Sequence, residues 1–179
     1  MATGAKYTYT SPKLHDAEIQ TLQNLFAALS WVQVAYPLVR VGRDSEGKTF
    51  PIVYTNDGTD ISIRVAPDSE VNSFCFFELE GDVTRFPDSV GKYTYPLSVT
   101  FWLQLDKVDN TKNYDYTSEL VLEIMNILDE QDCFDISYTT EPGEIFDRFS
   151  ELEEQTYQHF MRNFSAFKIM FSVEGVTCN

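Results

Sequence analysis

Between Tyr93 and Val108 the chain alternates in a way that an extended strand can use and a helix cannot. Leu97, Val99, Phe101, Leu103 and Leu105 fall on one side, and Ser98, Thr100, Trp102, Gln104 and Asp106 on the other. Successive strand side chains point to opposite faces, so a period of two sends the aliphatic set to a core and the other set away from it. A helix would scatter both sets around its circumference. The fold is therefore expected to be built on a sheet whose apolar face other elements must cover.

Further segments follow the same grammar. Val32, Val34, Val39 and Val41 alternate on either side of Pro37, which is expected to break the strand. Phe50–Tyr54 and Ile61–Val65 flank Asn56-Asp57-Gly58-Thr59-Asp60, a hairpin signal because Asn and Gly tolerate positive φ. Ser73–Leu79, Ile136–Thr140 and Phe167–Val173 complete the predicted strands. Two segments carry helical spacing instead. Ser11 as N-cap and Pro12 at the first position open a predicted helix through Ser30, with Leu14, Ile19, Leu22, Leu25, Phe26 and Leu29 as its stripe. Leu120, Val121, Ile124, Ile127 and Leu128 form the stripe of a second, Ser118–Leu128. Ile145, Phe146, Phe149, Leu152, Tyr157 and Phe160 predict an irregular third helix across 144–162. Residues 1–10 are expected to be a flexible N-terminal arm that orders only against a partner, and 11–179 a single domain. The sum is an α+β fold, a mostly antiparallel sheet with two to three helices packed against it.

A chain of 179 residues should bury about 70% of its unfolded surface, enough for one core. Its 13 Lys+Arg against 28 Asp+Glu give a formal charge of −15. Residues 1–90 carry 7 basic and 12 acidic side chains, 91–179 carry 6 and 16, and Asp129–Glu154 hold ten acids with one base, Arg148. Nucleic-acid affinity rests largely on Lys and Arg neutralising phosphates, so DNA or RNA binding is not expected, nor is an anionic membrane surface. Apolar runs are too short to span a bilayer. The first residues lack the apolar stretch of a secretory signal, so folding in a reducing cytoplasm is expected. Cys75, Cys133 and Cys178 are too few and too scattered for a disulfide framework.

Little in the chain points to catalysis. His15 and His159 are its two histidines, and neither lies in an HExxH context. Eight glycines are spread singly, without a phosphate loop, and Cys75 sits in a Phe-rich strand as a small core hydrophobe. Glu78 and Glu80 are not distinguished from other strand carboxylates as a hydrolytic pair. Asp57/Asp60 and Asp106/Asp109/Asp115 could gather around Ca²⁺ but lack the EF-hand spacing. The chain is expected to be no enzyme, with no catalytic, cofactor or metal residue assigned.

Tyr and Trp off the core stripe are what interfaces use, because they bury much area at small rotamer cost. Tyr7, Tyr9, Trp102, Tyr114 and Tyr116 are therefore the expected oligomer contacts, and Asp129, Glu130, Asp132, Asp135, Glu141 and Glu144 the expected channel or basic-partner face. The order of segments then resembles a family. The helix Pro12–Ser30, Pro51-Ile52-Val53-Tyr54 with its Asn56-Asp57-Gly58 turn, the strand ending Phe101-Trp102-Leu103-Gln104-Leu105-Asp106, the helix Ser118–Leu128 and the closing strand Phe167–Val173 are similar to the tail-terminator-like neck and tail-completion proteins of tailed bacteriophages. The resemblance spans residues 11–173, with an acidic stretch 129–162 longer than that pattern. It implies a homo-oligomeric ring, hexamer or dodecamer, that joins capsid portal to tail among other neck proteins. DNA would pass through it without specific binding, and its place would be the virion, after synthesis in the host cytoplasm. An acidic DNA-mimic inhibitor, a small cytoplasmic binding module with a Phe-lined pocket, and a carboxylate hydrolase stay open as alternatives.

Overall fold

The long alternating strand occupies the middle of the sheet. In the computed structural model, which describes residues 4–57, 60–65, 71–85, 91–153 and 164–176, β7 (Lys92–Gln104) pairs antiparallel with β5 (Ser73–Leu79) on one side and β9 (Phe164–Val176) on the other. The β7–β9 ladder runs from Lys92↔Val176 to Gln104↔Phe164 without a register shift. Beyond β5 lie β2 (Val34–Arg43), β3 (Thr49–Asp57) and β4 (Asp60–Arg64), and beyond β9 lies β8 (Phe134–Thr139), giving the order β4-β3-β2-β5-β7-β9-β8. Two short strands, β1 (Gly4–Ala5) and β6 (Thr84–Arg85), add to β2 and β7. The β2–β5 and β1–β2 pairs are parallel and the rest antiparallel, so the expected α+β fold with a mostly antiparallel sheet is the one observed.

Leu97, Val99, Phe101 and Leu103 of β7 face two helices, α1 (His15–Ala27) and α3 (Thr117–Glu130). Ile19, Leu22 and Phe26 come from α1, and Leu120, Val121, Ile124 and Leu128 from α3, spaced so that one stripe of each helix meets the sheet. Phe101 stands at the centre of this layer, its ring 4.9 Å from Phe167, 5.4 Å from Trp31 and 5.5 Å from Phe26.

Several boundaries differ from the sequence expectation. α1 starts at His15 instead of Pro12, and no side chain caps it. Ser11 and Leu14 take left-handed φ of 55° and 56°, turning the preceding segment back across the helix, where the Tyr9 N–H donates to Gln20 Oε1 at 2.8 Å. Strand β2 continues through Pro37 to Arg43. Proline removes a ladder donor, and the β2–β5 register shifts between Ala35 and Leu38. β7 ends at Gln104, because Leu105–Val108 form one helical turn, α2. That turn aims the Leu105 carbonyl at the Asp109 N–H (3.0 Å) and the Tyr116 hydroxyl (2.7 Å). The hairpin β3–β4 forms as expected, with its tip 58–59 outside the described residues. The irregular helix is a short α4 (Pro142–Ile145) followed by helical backbone at 150–153, with 154–163 outside the described residues.

Two expectations need correction. The arm does not wait for a partner: residues 4–10 lie against their own domain, with Gln23 Nε2 donating to the Lys6 and Ala35 carbonyls (2.7 and 2.8 Å) and the Leu38 N–H to the Tyr9 hydroxyl (3.1 Å). Trp102 is not an outward interface residue either. The second face of the sheet is also covered, by Ile145, Phe146, Phe149 and Leu152, which pack with Val34, Phe74, Phe76 and Trp102. Trp102 is 3% exposed, stacked 5.5 Å from Phe74 and 4.6 Å from Phe164. The sheet is a middle layer, which explains why its "polar" face carries aromatics. Trp102→Ala should therefore cost about 3–5 kcal/mol of folding stability, read as a lower urea midpoint; a variant that unfolds like wild type would mean the second layer does not hold the ring.

Candidate functional site

Farther along the same covered face, the side chains turn from aromatic to ionic. Phe74, Phe76, Glu78 and Glu80 follow each other on one side of β5 and its continuation, while Ser98 pairs with Glu78 across β7 and Thr100 with Lys168 of β9. Glu78 and Lys168 are 1% and 3% exposed, rare for charged groups unless paired. Lys168 Nζ lies 2.6 Å from Glu80 Oε1, 3.4 Å from Glu78 Oε2 and 3.8 Å from Asp147 Oδ1. Arg148 Nη1 donates to Glu78 Oε1 at 3.2 Å and to the Leu79 carbonyl at 3.1 Å, which ties the covering segment to the sheet. The Ser98 hydroxyl donates to Glu80 Oε1.

The two carboxylates diverge in character. Burial pushes Glu78 up to about 7, against the opposing pull of Lys168 and Arg148. Burial also works to raise Glu80, but hydrogen bonds from Lys168 and Ser98 outweigh it, and its pKa falls below the usual range. Burial works to lower Lys168, and the facing Glu78 and Glu80 hold it above its ordinary value instead. Lys168 and Glu80 thus form the firm ion pair, with Glu78 as the group that titrates. Removing one partner of such a buried pair leaves a charge uncompensated.

The expected interface aromatics form no single cluster, although the Tyr114 and Tyr116 rings meet at 6.2 Å. Tyr116 is 2% exposed, its hydroxyl spent on the Leu105 carbonyl, so it belongs to the core and not to an interface. Tyr9 is half-buried and burial pushes its phenol up to about 12, while Tyr7 is half-buried beside Tyr36 at 6.2 Å. Of the five, Tyr114 alone is largely exposed, and its hydroxyl donates to Glu119 Oε1 at 2.8 Å.

The acidic set behaves differently: Asp129, Glu130, Asp132, Asp135, Glu141 and Glu144 are all exposed, strung along the end of α3, strand β8 and the start of α4. Asp129 and Glu130 occupy the last turn of α3, where the helix dipole favours cations and no basic residue stands. Asp109 and Asp115, candidate Ca²⁺ ligands by sequence, accept hydrogen bonds from Thr111 and Thr117 in local turns. Among the described residues no group of three or more His, Cys, Asp or Glu could hold a metal, and no helix is long and apolar enough to cross a membrane. His15 packs its ring 4.7 Å from Tyr95, and His159 lies outside the described residues. No protein family, curated protein or solved structure matches this chain.

Glu78 and Glu80 carried a signal that pattern reading passed over. They continue the period-two row of Phe74 and Phe76, and Lys168 interrupts the apolar run Phe167-Ile169-Met170-Phe171. Below about pH 4.5 Glu78 is neutral in the folded and unfolded chain alike; between there and about 7 only the unfolded chain has released the proton. Stability should therefore fall as pH rises through that window and level off above it, by up to about 3 kcal/mol at about 1.4 kcal/mol per pKa unit. Glu78→Gln should flatten this slope in urea titrations from pH 4 to 8; an unchanged slope would assign the titration elsewhere.

Proposed function

We propose that this chain is a non-enzymatic structural subunit that closes with copies of itself into a ring of the phage neck or tail-completion type, joining capsid portal to tail around a DNA channel. The observation that carries the reading is the inequality of the two sheet ends. One end is the hairpin strand β4, the other is β8, and each of these edge strands pairs on one side among the described residues. A contact between unlike ends is heterologous, and a heterologous contact whose rotation closes generates a ring. Six or twelve copies suit the resemblance that the order of elements carries.

The exposed carboxylates beyond α3, Asp132, Asp135, Glu141 and Glu144, fit the same role. A wall of fixed negative charge does not grip phosphates, so DNA can move past it without binding. Other neck, portal and tail proteins would lie above and below the ring, and the virion would be its place of work. Native mass spectrometry and electron microscopy of the purified full chain should show closed rings of six or twelve copies. A single copy at every concentration would sink the proposal, and a monomer that displaces DNA from a basic enzyme would favour the DNA-mimic alternative.

A further inference from the structure

On the face of the sheet that α1 covers at β2, the hairpin strands β3 and β4 bring guanidinium groups and aromatic rings together. On β2 the side chains alternate, so Val39 joins the second-face core and Arg40 points to the helix face, past the cover of α1. Arg40 pairs across β3 with Ile52, and Ile52 across β4 with Arg64, placing a guanidinium on each side of one aliphatic side chain. Phe50 and Tyr54 flank Ile52 on the same face of β3. Arg64 lies 4.2 Å from the centre of the Phe50 ring and Arg40 5.8 Å from that of Tyr54. Gly42 makes room for the arrangement, since a Cβ there would come within 2.6 Å of the Phe50 ring.

The patch is built but not closed. Tyr54 is 57% exposed, Arg40 is exposed, and Phe50 and Ile52 are half-buried. Arg64 also meets Glu151, whereas Arg40 has no carboxylate within salt-bridge distance among the described residues. Aromatic side chains and arginine with an apolar centre are the composition of interface hot spots. Toward the opposite end of the sheet stands the complementary surface: Asp129 and Glu130 at the negative pole of α3, with the exposed Leu122 (59%) elsewhere on α3 and Tyr138 (53%) on β8.

We infer that the Arg40–Ile52–Arg64 patch of one copy receives the acidic α3–β8 corner of a second copy, Arg40 facing Asp129 and Glu130. The pairing rests on the ring reading above and supplies its contact. Charge complementarity chooses the occupant: a guanidinium with no carboxylate partner among the described residues meets a helix end whose dipole and side chains both call for a cation. The two surfaces are different patches of one chain, so a contact between them is heterologous.

Reversing either surface tests this. Arg40→Glu and the double variant Asp129→Lys/Glu130→Lys change exposed side chains only, and the second should leave α3 as stable or more so. Each alone should weaken self-association about a hundredfold or more, as like charges across a contact do, with far-ultraviolet dichroism and melting unchanged. Mixed in equal amounts, the two should assemble again, because the carboxylate introduced at position 40 of one then faces the lysines introduced in the other, while the unaltered surfaces also match. Arg40→Gln provides the milder variant should Arg40→Glu fail to fold, with a smaller loss expected. Rings of wild-type mass from either variant would overturn this contact and leave the ring reading standing, as would a mixture that stays monomeric. A monomeric wild-type chain would overturn both.

Discussion

The β7–β9 ladder is the interaction on which the rest of the molecule depends. It joins the two longest strands in continuous register, and β7 carries β5 on its other side. Both faces of these strands are then buried, one by α1 and α3, the other by residues 145–152. A strand buried on both faces normally reads as a continuous apolar run. Here the second face is half aromatic and half ionic, so the fold must neutralise charge inside itself.

That necessity explains the cluster around Lys168. A lone buried ammonium would be strongly penalised by lost hydration, and Glu80 with its short contact offsets this. Glu78, the more deeply buried of the two acids, keeps its proton to a higher pH. Arg148 closes the arrangement from the covering segment. Within the cluster Glu78 and Lys168 have almost no exposed surface, while Glu80, Asp147 and Arg148 keep part of theirs.

The central strands are covered on both faces, whereas on the hairpin the second face is buried by residues 145–152 and Tyr54 on the other stays exposed. The aromatics of the body are consumed in packing, as Trp102 and Tyr116 show. Those of the hairpin are not, and there Phe50 and Tyr54 lie against guanidinium groups instead of other rings. Of the expected tyrosines, Tyr116 is sunk in the core, Tyr7 and Tyr9 are half-buried against their own domain, and Tyr114 is engaged with a neighbouring carboxylate.

Local periodicity in the chain was sufficient for the fold class, the hairpin, the stripes of α1 and α3 and the inward side of β7, because side-chain direction in helices and strands is set by backbone geometry within a few residues. It was also sufficient to mark the acidic run as surface, since so many carboxylates cannot be buried together. It could not say that Ser98, Thr100, Trp102 and Lys168 lie under a second layer, for a polar alternation reads the same whether water or another segment covers it. Nor could it join Glu78 to Lys168 or Arg40 to Ile52 and Arg64. Those neighbours come from strand pairing between distant segments, and the register of that pairing is decided by how the whole sheet packs.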